Sequence, residues 1–246
     1  MLEHAFRQLA EEAMERWQVP ALAVGVSVDG GHETLCLGCE PDTRFRVASV
    51  TKPFTANLAA ALLDLDAPAG PWPGVTPRHL LSHTAGYDCE LGDLRRFGVG
   101  DDALPRLAAE LGEVRRWTDP GVVWSYSNAS YWVAGHLAAQ RAGSTYEAAL
   151  LELVCRPAGL EATEFAEPDL DGFDVDFAGG GLVVNTDGAY PRARRPSGGL
   201  VSTVSDLLRF GEWQLAEPAA AALRVPHARR PGGGYGLGYM LDAAGG

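Results

Sequence analysis

The chain of 246 residues lacks long apolar runs, although hydrophobic residues make up 46% of it. No stretch approaches the ~20 apolar residues that a membrane-spanning helix needs. The hydrophobic content is too high for a disordered chain and is typical of a globular protein with a real core. Residues 1–18 show an amphipathic helical pattern, not the basic-then-apolar pattern of a secretory signal. We therefore expect a cytoplasmic protein with no membrane partner.

Positive charge is in deficit, with 20 Lys and Arg against 32 Asp and Glu, which gives a net charge of −12. Nucleic acid selects basic surfaces, so nucleic-acid binding is excluded as a function.

Cysteine is also scarce, with four in the chain. Cys36 and Cys39 form a C-x-x-C, but this segment has a strand pattern in which residues three apart face opposite sides. Because no second close pair supplies further ligands, we expect free or buried thiols, no metal and no cofactor.

Helical and strand patterns alternate in a definite order along the chain. An N-terminal helix precedes a hairpin with a turn at Asp29-Gly30-Gly31, and helical segments broken by Pro and Gly fill the middle. A Gly-, Asp- and Pro-rich stretch over about 166–197 predicts loop or short strands, and a helix follows with Ser202 or Thr203 as its N-cap. The final stretch, 234–241, alternates like a strand. These patterns predict an α/β (α+β) protein with an antiparallel sheet flanked by helices. We expect an α/β part from residues 1–53 and 197–246, and a mainly helical part from residues 54–196.

Ser49-Val50-Thr51-Lys52 is an S-x-x-K at the point where a strand pattern changes to a helix pattern. Positions i and i+3 share a helix face, so the Ser49 hydroxyl and the Lys52 amine should lie side by side. The first N–H groups of a helix are unpaired and could stabilise an oxyanion. A desolvated lysine can lose its proton near neutral pH and activate a serine. The alternative is a helix cap with a solvated lysine, which is common.

A second candidate lies in the loop before the helical segment that starts near residue 129. Tyr126 and Asn128 are two residues apart, so an extended loop would present both on one side. A tyrosine near a lysine can act as a general base and acid, and an asparagine amide can hold a carbonyl. The alternative is a packed tyrosine and a helix-capping asparagine.

Four segments together resemble the serine β-lactamase and penicillin-binding-protein superfamily: FRVASVTKPFTA, LLSHTAGY, PGVVWSYSNASYWVAG and PSGGLVSTVSDLLRF. The branch they resemble contains class C β-lactamases, family VIII esterases, D-aminopeptidases and D-alanyl-D-alanine carboxypeptidases. The resemblance implies that Ser49 is acylated and that its N–H forms half of the oxyanion hole. It also implies that Lys52 and Tyr126 move protons, and that Asn128 binds substrate and holds Lys52. Which of Lys52 and Tyr126 is the base stays open, since the two can titrate as one unit. The resemblance gives His83 a structural role in a turn near the site.

The family's third motif, K-T-G or a variant such as H-x-G on a strand near the C-terminus, has no match after Tyr126. The chain ends about where that strand would follow residue 241. We therefore expect that C-terminal strands are missing from this chain and that the sequence is incomplete. Loss of an oxyanion donor on that strand would cost about 10²–10³ in turnover.

The sequence thus predicts a serine hydrolase acting on a small-molecule ester, amide or lactam through an acyl-enzyme on Ser49. Esterase or D-amino-acid amidase or peptidase activity ranks ahead of β-lactamase activity. Transfer of the acyl group to an alcohol or amine is not separable from hydrolysis on sequence alone. The alternative function is a catalytically impaired or truncated member of the fold that binds a ligand or partner. The sequence does not indicate an oligomeric state.

Overall fold

The computed structural model describes residues 2–87, 92–113, 116–176, 178–185 and 188–242. Helix α1 covers Leu2–Trp17, in agreement with the amphipathic pattern. Strands β1 (Leu22–Val28) and β2 (Gly31–Leu37) form an antiparallel hairpin, with Val28 paired to Gly31. The turn residues Asp29 and Gly30 have φ angles of 51° and 78°. Positive φ at both turn positions matches the right-handed twist of the flanking strands.

The chain next enters the segment that carries the S-x-x-K. Strand β3 (Phe45–Arg46) pairs antiparallel with β6 (Val201–Ser202), which joins the two halves of the sequence. A 3-10 turn over Ala48–Val50 continues directly into α2, Thr51–Leu62. The helix therefore begins within the S-x-x-K, where the sequence pattern changes from strand to helix.

Helices fill the middle of the chain, as its pattern predicted. They are α3 (Pro77–Leu81), α4 (Ala103–Glu113), α5 (Asn128–Ala142) and α6 (Tyr146–Leu150), which continues as a π turn over Leu151–Cys155. A 3-10 turn covers Leu94–Phe97. The Gly- and Pro-rich stretch contains strands β4 (Phe173–Val175) and β5 (Leu182–Val184), then a 3-10 turn (Arg192–Arg194) and α7 (Arg195–Gly198).

The C-terminal part begins with α8 (Val204–Ala216), whose N-cap Thr203 accepts a hydrogen bond from the Asp206 N–H. Helix α9 (Pro218–Ala221) and a 3-10 turn (Ala222–Arg224) precede strands β7 (Ala228–Arg230), β8 (Gly233–Tyr235) and β9 (Met240–Asp242). The expected single strand over 234–241 is therefore two antiparallel strands. The reversal follows from Gly238, which has a φ of 93°, and from a hydrogen bond from the Gly236 N–H to the Tyr239 carbonyl.

Every strand pairing in the described ranges is antiparallel, and the strands form four small sheets: β1-β2, β3-β6, β4-β5 and β7-β8-β9. The mixed helix and antiparallel-sheet class predicted from sequence is confirmed. Across the residues that the structure covers, no helix is both long and apolar enough to cross a membrane.

The core is built around α2. Phe54 and Leu58 of α2 are fully buried, as are Tyr131 and Trp132 of α5. Phe54 stacks on Phe210 of α8, with ring centroids 3.7 Å apart and planes 10° from parallel. These contacts hold the helix that begins beside Ser49 from two sides.

Cys36, Cys39 and Cys155 carry free thiols, and Cys89 lies outside the described residues. Strand β2 ends at Leu37, so Cys39 lies beyond the strand that the sequence pattern extended through it. No group of three or more His, Cys, Asp or Glu side chains suited to a metal occurs among the described residues.

Candidate active site

Ser49 lies in the middle of the 3-10 turn between β3 and α2, with its side chain exposed to solvent. The residue before it, Ala48, has a φ of 45°. Alanine rarely adopts this left-handed conformation, and such strain is tolerated where the surrounding structure fixes the backbone. The turn places Ser49 ahead of the first turn of α2, rather than inside the α-helix as the sequence suggested.

Lys52 lies in the first turn of α2 and is only 1% exposed. Its Nζ donates hydrogen bonds to Ser49 Oγ at 3.0 Å and to the Ser197 carbonyl at 2.8 Å. Burial, followed by the charge of Arg194, lowers the pKa of Lys52 from 10.5 to about 7. A buried ammonium loses hydration that two hydrogen bonds do not replace, so the neutral amine is well populated at neutral pH.

Tyr126 reaches the same oxygen from the loop before α5. Its hydroxyl donates to Ser49 Oγ at 2.9 Å, and Lys52 Nζ lies 4.8 Å from the centre of its ring. Burial raises the pKa of Tyr126, an effect that the hydrogen bond to Ser49 partly opposes. The phenol therefore keeps its proton at neutral pH. The structure thus brings Ser49, Lys52 and Tyr126 together around one oxygen, and their catalytic roles stay predictions.

His83 holds the loop that carries Tyr126. Its Nδ1 accepts the Ser127 N–H at 3.1 Å, and its carbonyl accepts the Ser125 N–H at 2.9 Å. Because Nδ1 is an acceptor, the ring proton is on Nε2, which lies 3.0 Å from the Tyr235 hydroxyl. Burial, followed by the charge of Lys52, lowers the pKa of His83 to about 3. A neutral imidazole with both nitrogens occupied supports the loop, in line with the structural role expected for it.

Asn128 is the first residue of α5, directly after the N-cap Ser127. Its side chain is half-buried. Within the described residues it makes no hydrogen bond to Lys52, whose donors go to Ser49 and to the Ser197 carbonyl. The hydrogen bonds of the described residues therefore do not include one from Asn128 to Lys52, and both expected roles of Asn128, holding Lys52 and binding substrate, stay predictions.

Three residues that contribute to the site were not identified from the sequence. The Ser197 carbonyl in α7 holds Lys52, and Trp132 Nε1 fixes the same residue by donating to Ser197 Oγ at 2.9 Å. Arg194 supplies the positive charge that helps to lower the pKa of Lys52. Glycines such as Gly198 and Gly199 allow close backbone approach, but no sequence pattern identifies a backbone carbonyl that binds a lysine.

Residues 6–246 match the Beta-lactamase family, and the chain belongs to it. Penicillin-binding protein 4 of Amycolatopsis lactamdurans is 29% identical over 252 residues, which are 89% of this chain and 65% of that protein. Esterase EstB of Burkholderia gladioli is 31% identical over 270 residues, covering 81% and 66% of the two chains. The solved structure of a class C β-lactamase mutant shares the fold with a TM-score of 0.81 at 19% identity, covering 96% and 74%. The chain spans 44–66% of the length of such curated relatives. The resemblance to the β-lactamase and penicillin-binding-protein superfamily is thereby confirmed.

Proposed function

We propose that this protein is a serine hydrolase that forms an acyl-enzyme on Ser49. The observation that supports this best is the double hydrogen bond to one exposed serine oxygen. Lys52 Nζ and Tyr126 OH lie 3.0 and 2.9 Å from Ser49 Oγ. A nucleophile held between a base and a proton donor is the arrangement that acyl transfer requires.

In the proposed mechanism, neutral Lys52 is the base. As Ser49 Oγ attacks the substrate carbonyl, its proton passes to Lys52 Nζ and a tetrahedral oxyanion forms next to the Ser49 N–H. Tyr126 then gives its proton to the leaving oxygen or nitrogen as the bond to the carbonyl carbon breaks, and the proton on Lys52 restores the phenol. Tyrosinate is a less suitable resting base because burial raises the pKa of Tyr126. Deacylation repeats the steps with water.

The proposed substrates are small esters or amides, including amides and peptides of D-amino acids, ahead of β-lactams. An esterase among the relatives supports ester substrates, and the order of the classes rests on the sequence. An alcohol or amine in place of water would give acyl transfer by the same steps. The cytoplasmic location is part of the proposal and rests on the sequence pattern alone.

Covalent labelling tests the acyl-enzyme directly. We expect a neutral fluorescent fluorophosphonate to label the wild-type protein and to leave Ser49→Ala unlabelled, as read by gel fluorescence and intact mass. Ser27→Ala is a matched control, because Ser27 lies on β1 and its hydroxyl contacts Glu212 instead of the site. Label on Ser49→Ala would overturn the assignment. A folded wild-type chain without label would favour the alternative, a ligand-binding member of the fold.

A panel of p-nitrophenyl esters, D-amino-acid p-nitroanilides and nitrocefin then ranks the substrates.

A further inference from the structure

A cavity of about 1130 Å³ is lined by Arg46, three residues before Ser49, and by Arg194, whose charge acts on Lys52. Its walls come from β3, the 3-10 turn over Leu94–Phe97, and the segments on either side of the β4-β5 hairpin. This volume is enough for a small organic substrate. The apolar part of the lining includes Phe45, Leu94, Leu170 and Phe173.

Two arginines and one tyrosine lie close together in the polar part of this cavity. The guanidinium carbons of Arg46 and Arg194 lie 5.1 and 5.6 Å from the centre of the Tyr190 ring, and all three residues line the cavity. Both cations lie within the range at which the ring attracts them. Two positive groups are therefore concentrated at a single aromatic side chain.

Among the charged residues that line the cavity, Arg194 is not neutralised by a neighbouring carboxylate. Glu167 pairs with Arg46 at 3.2 Å, and Asp93 pairs with Arg95 at 3.6 Å. Asp171, the remaining acid in the lining, is exposed. Arg194 has no carboxylate partner in the part of the chain that the structure covers, and it lines the cavity. An anionic ligand in the cavity would supply the charged partner that this guanidinium lacks.

The arginine end of the cavity is next to the reactive serine. Tyr190 OH lies 2.6 Å from the point that a Cβ on Gly198 would occupy, and that point is 3.5 Å from the Ala48 carbonyl carbon. Ala48 precedes Ser49, and Ser197, which precedes Gly198, holds Lys52 through its carbonyl. The Tyr190 hydroxyl therefore lies close to the backbone that carries Ser49 and Ser197.

We propose that this cavity binds a carboxylate group of the substrate at Arg194 and Arg46, so that the protein prefers esters or amides carrying a negative charge. The inference rests on the proposed function and specifies its substrate class. A planar carboxylate matches the two parallel N–H groups of a guanidinium, which an uncharged ester or amide group does not. The apolar lining then takes the hydrocarbon part of the same substrate.

The experiment measures binding without turnover, in the Ser49→Ala protein. Calorimetric titration compares N-phenylsuccinamic acid with its methyl ester, which differ in the negative charge. We expect the acid to bind at least about ten-fold more tightly, the factor that a charge-assisted hydrogen bond supplies. Arg194→Gln should abolish this preference, and Arg194→Lys should keep part of it. Arg95→Gln is the matched control: it removes the same charge from the cavity wall at a residue that pairs with Asp93.

Equal binding of the acid and its ester, or no binding of either, would overturn the proposal. So would an Arg95→Gln variant that loses the preference as completely as Arg194→Gln, since the effect would then be one of overall charge. Thermal unfolding followed by circular dichroism confirms that each variant is folded. Fluorophosphonate labelling separates the two proposals. Label without an acid preference rejects the carboxylate site alone, whereas an acid preference without label rejects the hydrolase alone.

Discussion

Burial has opposite consequences for the two side chains that contact Ser49 Oγ. It favours the neutral form of each, which for Lys52 is the form without the extra proton and for Tyr126 is the form with it. One desolvated pocket therefore prepares a base and a proton donor at the same pH. The nearby imidazole of His83 is neutral for the same reason and is already used to hold the Tyr126 loop.

Lys52 should make the stability of the protein depend on pH. Its pKa is about 7 in the folded protein and near its ordinary value of 10.5 in the unfolded chain. Between these values the unfolded chain binds more protons, so the free energy of unfolding should rise as the pH rises through this interval. We expect wild type to gain of order 1–2 kcal/mol relative to Lys52→Met between about pH 7 and 9. Urea unfolding of both proteins across this range measures the difference. Parallel curves would show that Lys52 is not destabilised as an ammonium.

Tyr126→Phe tests proton delivery without removing the ring. The substitution deletes the hydroxyl that donates to Ser49 Oγ and keeps the aromatic face that lies 4.8 Å from Lys52 Nζ. We expect kcat/KM for p-nitrophenyl esters to fall by about 10²–10⁴, the usual contribution of a positioned acid or base. Stability should change little by comparison. Tyr239→Phe is a control, because that hydroxyl contacts Gln214 away from the site. Unchanged turnover in Tyr126→Phe would leave Lys52 as the sole proton carrier.

How well each part of the site could be predicted depends on how close its contacting residues are in the sequence. Ser49 and Lys52 are three residues apart, and helical periodicity alone places them side by side. Tyr126 is 77 positions from Ser49, and only the resemblance of several segments indicated its place. The Ser197 carbonyl is 145 positions from Lys52 and is a backbone group present in any residue. Such a contact is fixed by packing between helices, which no local pattern encodes.

At the level of secondary-structure elements, the position of Ser197 depends on how closely α5 approaches the chain at Pro196. A Cβ on Gly135, in the middle of α5, would lie 2.6 Å from two side-chain atoms of Pro196. The missing side chain therefore permits the contact that places α7 under Lys52. The start of α8 was predictable because its capping residue Thr203 marks it, whereas this crossing was not.

A pair of glycine substitutions tests that contact. Gly135→Ala should destabilise the protein by about 1–3 kcal/mol, because Pro196 must move to admit the methyl group. Gly211→Ala, also inside a helix, meets nothing within 4 Å. It should therefore stabilise by about 0.5–1 kcal/mol through helix propensity. Urea unfolding measures both, and labelling of Ser49 should slow only in Gly135→Ala. Equal effects of the two substitutions would show that the α5 approach is not tight.

At the level of the whole molecule, the site and the core share one helix. Helix α2 presents Lys52 at its start and buries Phe54 and Leu58 two and six residues later. Phe54 stacks on Phe210 of α8, from the other end of the sequence. The strand pairing β3-β6 joins the same two regions directly before Ser49. The orientation of the S-x-x-K therefore depends on contacts between distant parts of the chain.

Phe210→Ala should accordingly weaken both stability and reactivity. Phe210 is 6% exposed, and removing a buried aromatic ring typically costs about 3–5 kcal/mol. The substitution leaves an empty space next to Phe54, so we expect α2 to shift. The rate of fluorophosphonate labelling at Ser49 should then fall even at temperatures below the unfolding temperature. Leu215→Ala is the matched control on the same helix, because Leu215 is 79% exposed and its loss should cost less than about 0.5 kcal/mol. Urea unfolding and labelling kinetics on the folded variants measure the two effects separately. If Phe210→Ala lowered stability and left the labelling rate at the wild-type value, the orientation of Lys52 would be set by β3-β6 and Ser197 alone, without the aromatic stack.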